Sequence, residues 1–314
     1  MPSSERSRVR SVVVRTSAKV NFCLRVLGKR PDGYHDVQTV LHTIGLWDRL
    51  HLAPIPDDSR ITLEVNTADV PADESNLCWR AAQLLMPRAK ASPGVAITLE
   101  KSIPVEAGLG GGSSDAAATL RGLAAMLGIE GDSELLDELA PELGADVPFF
   151  LRGGCCLAQG RGERLRALPE MAAWLVLVVP ERRVPTAQAY AALRRGTGRG
   201  RRRALARAVQ RTVKAVEERD LERLAGALHN DFEAVAMSGI SDALRARDEM
   251  LQAGCLGACL SGTGSAVFGL SPSEEEARRI AARLGEQWSW VEAVPTVPAG
   301  SSLLIEGVEE AQGP

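Results

Sequence analysis

The chain has few residues of the kinds that bind metals or stack on nucleic acid. Of its 314 residues, six are cysteine, four are histidine and 4% are aromatic. No two cysteines form a Cys-x-x-Cys pair, and the histidines are scattered at positions 35, 42, 51 and 229. This spacing predicts no structural zinc site. We expect reduced and mostly buried thiols, which are usual in the cytosol.

Long apolar runs and a strong net charge are also missing. No segment approaches the apolar length of a transmembrane span. The N-terminal residues, MPSSERSRVRS, are polar and basic, with no apolar signal region after them. A formal net charge of −3 argues against general binding to nucleic acid or to anionic membranes. We therefore expect a cytoplasmic protein that acts on a small molecule, as a monomer or a homodimer.

The length and the 45% hydrophobic content are sufficient for two domains. Strand and helix patterns alternate without a regular β-α repeat, which predicts an α+β architecture in both halves. We place an N-terminal domain at residues 1–170 and a C-terminal domain at 171–314. The segment 144–150 is predicted to break a helix, and the tail beyond Leu304 to fray. Helical patterns cover residues 76–88, 115–127, 133–143, 187–193, 204–218, 221–229, 241–253 and 274–284.

The most informative segment is a glycine-rich run, IPVEAGLGGGSSDAAATL, over residues 103–120. It lies between a predicted strand at 95–101 and an alanine-rich helical pattern. Glycine lets the backbone approach a ligand closely, and successive N–H groups in such a loop can bind an anion. The N-terminus of the following helix adds unpaired N–H groups and the positive end of its dipole. The segment therefore predicts a phosphate-binding loop.

Two familiar phosphate-binding loops do not fit this run. A Walker loop requires a lysine after the glycines, and none follows here. A dinucleotide fingerprint requires G-x-G-x-x-G, and Ser113 stands where the last glycine belongs. A flexible Gly-Ser linker is the remaining alternative, but a linker would not join a strand to a compact helix.

A dense basic run, RRGTGRGRRR, covers residues 194–203. Its glycines predict a solvated, mobile connection. Binding of RNA or an acidic ligand is the alternative interpretation, although the run lacks the interleaved aromatic residues of a stacking platform.

Five segments together resemble the GHMP kinases, which phosphorylate small alcohols. The glycine-rich run resembles the signature of that family. The segments SAKVNFCLRVLG at 17–28, RPDGYHDVQT at 30–39, GADVPF at 144–149 and LSGTGSAVF at 260–268 resemble its other motifs. Ser17 departs from the usual proline, Glu106 and Ala107 from small or glycine residues, and Ser265 from alanine or proline. Glu106 is expected to point outward, away from phosphates.

The resemblance implies a two-domain fold with the active site in a cleft. The N-terminal domain would be similar to the second domain of ribosomal protein S5, and the C-terminal domain would be a ferredoxin-like α/β sandwich. It also implies ATP and Mg²⁺ as cofactors. A third glycine-rich motif would include Gly262, Thr263 and Gly264. The implied ATP-binding residues are Pro104, Val105, Glu106, Ala107, Gly108, Leu109, Gly110, Gly111, Gly112, Ser113 and Ser114.

Two residues are candidates for the chemistry of phosphoryl transfer. An alcohol nucleophile needs a nearby acceptor for its proton, and Asp146 follows a helix at a break from which a side chain can project. Lys19 interrupts an otherwise apolar strand. The resemblance makes Asp146 the catalytic carboxylate and places Lys19 beside it. In isolation, Asp146 would be a loop cap and Lys19 an outward-facing strand residue. Ser113 or Ser114 could bind Mg²⁺, while Ser114 could equally be a helix N-cap.

The acceptor alcohol is implied by the segment Gly33-Tyr34-His35, which resembles a cytosine site within the family. Another GHMP kinase, acting on homoserine or a mevalonate derivative, is the alternative within this class. A regulatory or RNA-binding protein on the same scaffold is the alternative outside it. We expect Tyr34 and Tyr190 to sandwich the base and His35 to bind its edge. The implied acceptor-binding residues are Asn21, Tyr34, His35, Lys101, Thr186 and Tyr190.

Overall fold

The computed structural model describes residues 11–56, 59–89, 93–129, 131–182, 186–193, 199–235 and 242–309. Two short 3₁₀ helices, Met86–Arg88 and Ala299–Ser301, accompany the main elements. The strands are β1 (Ser11–Lys29), β2 (His35–Ile55), β3 (Ile61–Val65), β4 (Gly94–Glu100), β5 (Cys155–Gly160), β6 (Arg164–Leu168), β7 (Trp174–Val178), β8 (His229–Asn230), β9 (Gly257–Leu260), β10 (Val267–Ser271), β11 (Val291–Pro295) and β12 (Leu303–Glu309). The helices are α1 (Leu77–Leu85), α2 (Gly111–Met126), α3 (Ser133–Leu143), α4 (Val147–Arg152), α5 (Thr186–Ala192), α6 (Arg199–Glu217), α7 (Leu221–Ala225), α8 (Glu233–Val235), α9 (Ala243–Ala253) and α10 (Glu274–Leu284).

The first sheet has eight strands and is built on the long antiparallel pair β1 and β2. Its main order is β12-β1-β2-β4-β3, while β5 and β6 extend from β2 and β8 pairs with β1. The pairs β3–β4 and β1–β8 are parallel. Helices α1 to α4 pack together against this sheet and bury a continuous apolar core that includes Leu52, Ile97 and Leu123.

The second sheet has four antiparallel strands in the order β11-β7-β10-β9. Helix α9 precedes β9 in the chain, and α10 lies between β10 and β11; both helices pack on this sheet. The sequence of elements and the strand order are those of a ferredoxin-like unit. The expected C-terminal α/β sandwich is confirmed.

Five expectations about local structure need correction. The helix predicted over 221–229 ends at Ala225, and His229 lies on strand β8. The segment 144–150 is not only a break, because α4 begins within it at Val147. Helix α2 begins at Gly111, four residues before the predicted start. The C-terminal tail is not frayed at Leu304, because β12 pairs with β1. The basic run is not a loop throughout, since α6 begins at Arg199; residues 194–198 lie outside the described part.

Strand β12 also bears on the proposed domains. It follows the second sheet in the chain but is paired antiparallel with β1 in the first sheet. The division at residue 170 stays a proposal, and β12 belongs spatially with the N-terminal unit.

All six cysteines are buried and unpaired, as expected. Burial is the main cause of the raised pKa of each of these thiols. None of the helices in the described ranges is both long enough and apolar enough to span a membrane.

Candidate active site

The glycine-rich loop connects β4 to α2, and two of its glycines have no allowed substitute. Gly110 is the N-cap of α2 with φ +77°, and a Cβ there would lie 2.7 Å from the Phe150 ring. Gly108 has φ +81°, and its Cβ would lie 2.2 Å from the Ser261 carbonyl oxygen. Both positions need left-handed backbone and close approach, which glycine alone tolerates. The loop thus directs the N-terminus of α2 into a cavity of about 590 Å³.

The third glycine-rich motif of the second sheet is hydrogen-bonded directly to this loop. The Gly108 carbonyl accepts bonds from the Lys19 ammonium (2.7 Å) and the Ser261 hydroxyl (2.9 Å). The Ala266 N–H donates to the Ala107 carbonyl (3.0 Å). The cavity therefore lies at the seam between the two sheets, as expected for a cleft between domains.

Lys19 is buried at this seam. Its burial excludes the alternative interpretation, in which Lys19 is an outward-facing strand residue. Its ammonium donates to Asn21 Oδ1 and to the Gly108 carbonyl, both at 2.7 Å. Burial lowers the pKa of Lys19, and the charge of Asp146 opposes this shift. Over the described residues no ion pair joins Lys19 to Asp146; the two groups face the same cavity.

Asp146 precedes α4, but its side chain makes no capping hydrogen bond to that helix. The carboxylate instead lines the cavity. Burial, with a further contribution from the charge of Asp146, raises the pKa of Tyr190 to about 12. A carboxylate that is not used as a cap and lies opposite a buried ammonium is available to accept a proton from a bound alcohol.

The two serines after the glycines have different environments. Ser114 is fully buried, and its hydroxyl lies 2.6 Å from both Thr16 Oγ1 and the Ser17 carbonyl. It is neither the N-cap of α2 nor directed toward the cavity. Ser113 lines the cavity. Of the two candidate Mg²⁺ ligands, only Ser113 fits the geometry.

The Lys101 side chain is only 6% exposed, so it is not an ordinary exposed lysine at the end of a strand. Its ammonium forms ion pairs with Asp48 and with Asp115 (2.7 Å). Asp48 Oδ1 also accepts the N–H groups of Ser102 (2.6 Å) and Ile103 (2.9 Å). This cluster fastens the start of the glycine-rich loop to β2. Contact of Lys101 with the acceptor stays a prediction, since two carboxylates already hold its charge.

The predicted base-binding residues lie near one another, but not in the expected pairing. The ring of Tyr190 lines the cavity and stacks on His35 with centroids 4.7 Å apart. Tyr34 is 56% exposed, and the centroid of its ring lies 4.8 Å from the central carbon of the Arg161 guanidinium. The sandwich of a base between two tyrosines stays a prediction. In the structure the ring that stacks on Tyr190 is His35 and not Tyr34.

The remaining predicted residues are divided between the cavity wall and its support. Thr186 and Thr263 line the cavity, and their hydroxyl oxygens are 3.2 Å apart. Glu106 is exposed, with φ +56°, and it also lines the cavity, so its outward direction stays a prediction. Gly264 has φ +93° and packs against Leu260, behind the wall. The other predicted residues on the wall are Asn21, Lys101, Pro104, Val105, Glu106, Ala107, Gly108, Leu109, Gly110, Gly111, Gly112, Ser113, Asp146, Tyr190 and Gly262.

Several residues at or beside the site were not predicted from the sequence, and three of them carry polar contacts that bear on the chemistry. Arg161, in the turn between β5 and β6, lines the cavity. Asp48 is fully buried under the loop, and Asn230 holds the third glycine-rich motif through two hydrogen bonds. An aspartate within the apolar pattern of β2 was a detectable signal; the others carried none.

Comparison with known proteins agrees with this geometry. The family model "GHMP kinases N terminal domain" matches residues 76–154, and "GHMP kinases C terminal" matches residues 212–289. The chain belongs to the GHMP kinase family, and its fold is the two-domain fold of that family. Kinases of this family use ATP.

Individual relatives and solved structures give a more specific comparison than the family models. The chain is 44% identical to a 4-diphosphocytidyl-2-C-methyl-D-erythritol kinase from Pelotomaculum thermopropionicum, over 85% of this chain and 91% of that protein. A crystal structure of 4-(cytidine 5'-diphospho)-2C-methyl-D-erythritol kinase is 36% identical, with a TM-score of 0.74, covering 90% of this chain and 98% of that one. A homoserine kinase from Cytophaga hutchinsonii shares the fold at a TM-score of 0.78 and 20% identity, over 96% of this chain and 98% of that one.

Proposed function

We propose that this chain transfers the γ-phosphoryl group of ATP to the 2-hydroxyl of 4-diphosphocytidyl-2-C-methyl-D-erythritol, a step in non-mevalonate isoprenoid precursor biosynthesis. The observation that carries the proposal is the meeting of Lys19, Asp146 and the glycine-rich loop in one cavity. The identity to relatives with this activity over most of the chain supports the choice of acceptor.

The chemistry requires positioning and charge stabilisation more than covalent catalysis. The N-terminus of α2 and the backbone of residues 108–113 would bind the phosphates of ATP. Asp146 would accept the proton of the acceptor hydroxyl. Lys19, held by Asn21 and Gly108, would place its positive charge between that hydroxyl and the transferred group.

Mg²⁺ is proposed as the accompanying cation. The hydroxyl of Ser113 and the carboxylate of Asp146 belong to residues that line the same cavity, and hard oxygen donors are the ligands that Mg²⁺ prefers. Ser113 would hold the ion, with Asp146 as the carboxylate on the same cavity wall. When bound, the ion neutralises the phosphate oxygens.

Substitution of Asp146 tests the assignment of the base. Asp146→Asn retains the shape of the side chain but accepts no proton, so kcat should fall about 10²- to 10⁴-fold. ATP affinity, measured by calorimetry, should change little. Asp137→Asn removes a carboxylate from α3 away from the cavity and serves as the control with unchanged kcat. Near-wild-type kcat in Asp146→Asn contradicts the assignment.

An acceptor panel tests the substrate. Purified protein is incubated with Mg-ATP and 4-diphosphocytidyl-2-C-methyl-D-erythritol, homoserine or mevalonate, and products are detected by mass spectrometry. Phosphorylation of the cytidine-bearing acceptor alone is expected. Preference for either of the other alcohols would contradict the proposed acceptor but not the assignment of the chain to the GHMP kinases.

The base site is proposed to include Tyr34, His35 and Tyr190. Base–aromatic stacking contributes about 1–3 kcal/mol, so Tyr190→Ala should raise the acceptor KM roughly ten- to a hundredfold. The KM for ATP should barely change. Tyr34→Ala tests the second ring in the same assay. An unchanged acceptor KM in both variants would remove the nucleobase site from this part of the cavity.

A further inference from the structure

Asn230 lies outside the cavity wall, yet it joins the two sheets close to Lys19. It is 2% exposed and lies on the two-residue strand β8. That strand pairs in parallel with β1, with Asn230 opposite Leu24. The next residue, Asp231, strengthens the pairing, because its N–H donates to the Leu24 carbonyl (3.0 Å) and its Oδ2 accepts the Val26 N–H (2.9 Å). The backbone of Asn230 is therefore fixed to the strand that carries Lys19.

The side chain of Asn230 reaches in the opposite direction, to the third glycine-rich motif. Its Nδ2 group donates to the carbonyls of Leu260 and Gly262, both at 2.8 Å. Its Oδ1 accepts the N–H of Phe232 at 2.9 Å, which determines the orientation of the amide. Both donors of this buried amide and one acceptor position of its oxygen are thus used, and the bond to the Gly262 carbonyl defines where the Gly262 peptide lies.

The Gly262 residue transmits this constraint to the reacting groups. Its N–H donates to Asn21 Oδ1 (2.8 Å), the same oxygen that accepts the Lys19 ammonium (2.7 Å). There is little room for adjustment, since a Cβ on Gly262 would lie 2.9 Å from the Gly108 carbonyl oxygen. A displacement of Gly262 would therefore alter both acceptors of the Lys19 ammonium.

We propose that Asn230 is a positioning residue for the Lys19 ammonium, acting through the Gly262 peptide and the Asn21 amide. The side chain does not touch the cavity, so it binds neither ATP nor the acceptor. Its effect falls on the placement of charge during transfer. The inference rests on the proposed kinase function, and the experiment below separates the two.

Asn230→Asp is the most specific test, because it preserves shape while replacing two donated hydrogen bonds with an oxygen facing two carbonyls. We expect kcat to fall roughly tenfold or more, with the KM values for ATP and acceptor within about threefold of wild type. The matched control is Thr212→Val. The Thr212 hydroxyl is also buried and lies within hydrogen-bonding distance of the Ala208 (3.1 Å) and Ala227 (3.0 Å) carbonyls, away from the cavity; its one hydrogen is donated to either of them. Its loss should lower the melting temperature and leave kcat unchanged.

A double-mutant cycle tests the route of the effect. If Asn230 acts through Asn21, the effects of Asn230→Asp and Asn21→Ala on kcat should be strongly non-additive. Multiplicative effects on kcat, or a kcat within twofold of wild type in folded Asn230→Asp, overturn the proposal. If Asn230→Asp does not fold, Asn230→Ser is measured in the same cycle and by the same criteria. An inactive wild-type chain contradicts the proposed function instead.

Discussion

The buried His42 makes the stability of this protein depend on pH in a way that can be calculated. Its side chain is 1% exposed on β2. Nδ1 lies 2.9 Å from the Thr43 carbonyl and therefore donates, while Nε2 accepts the Met171 N–H at 3.2 Å. A proton on Nε2 would remove that acceptor. Burial is the main cause of the lowered pKa of His42, which is about 4 instead of 6.5.

The sign and size of the effect follow from this lowered pKa. Below its ordinary pKa the histidine binds a proton in the unfolded chain, while the folded protein keeps it neutral until about pH 4. Stability is therefore lost as the pH falls from about 6.5 to about 4. The shift is worth about 3 kcal/mol in full and about 2 kcal/mol by pH 5.

Urea denaturation at about pH 7.5 and about pH 5 provides the assay. Other groups also titrate in this range, so the informative quantity is the difference between wild type and His42→Gln at each pH. That difference should shrink by about 2 kcal/mol on acidification, because glutamine has no proton to gain. Ile44→Val, a buried neighbour, should instead cost about 1 kcal/mol at both pH values. A difference between wild type and His42→Gln that does not change with pH refutes the reasoning.

Three further substitutions test the seam and its loop. Gly108→Ala should force the loop away from Ser261 and lower kcat at least about a hundredfold, whereas Gly128→Ala, at φ +70° with open space around it, should cost only about 1 kcal/mol of stability. Ser17→Ala should raise stability by about 1 kcal/mol in thermal denaturation, because the buried Ser17 hydroxyl has no hydrogen-bond partner among the described residues; a loss would mean that this hydroxyl is satisfied. Glu106→Gly should relieve about 1 kcal/mol of left-handed strain and lower the KM for ATP by removing a carboxylate; an unchanged KM would place that carboxylate away from the phosphates.

Local chemistry explains which elements could be predicted from the sequence. The bounds of α3 and α10 were predicted correctly. Each helix begins after a residue whose side chain caps its N-terminus, Asp132 and Ser273, and each ends before a glycine, Gly144 and Gly285. The start of α2 was placed too late, because Gly111 is a poor helix former. Its missing Cβ is required by the Lys101 ammonium, which would lie 2.9 Å away. Tertiary packing here overrides intrinsic preference.

The residues of the candidate site were also predictable only in part. Residues within contiguous motifs, such as Lys19 and Asp146, could be located by resemblance, and they do line one cavity. Asp48 departs from the apolar pattern of β2, but neither its role nor that of Asn230 could be located by resemblance, since each acts on a partner distant in sequence: Asp48 on Lys101, 53 residues away, and Asn230 on Gly262, 32 residues away. No short pattern records such a pairing.

The pairing of β12 with β1 has a consequence for how the protein folds while it is being synthesised. Ser11 lies opposite Glu309, so this contact joins segments from opposite ends of the described chain. Strand β1 also cannot complete its pairing until β8 has been synthesised, because β8 pairs with it at Cys23 and Leu24. Contacts of such long sequence separation slow folding. On the ribosome, the sheet that carries Lys19 therefore stays without one neighbouring strand until translation has passed residue 309, and a nascent chain that stops before β12 should lack kinase activity.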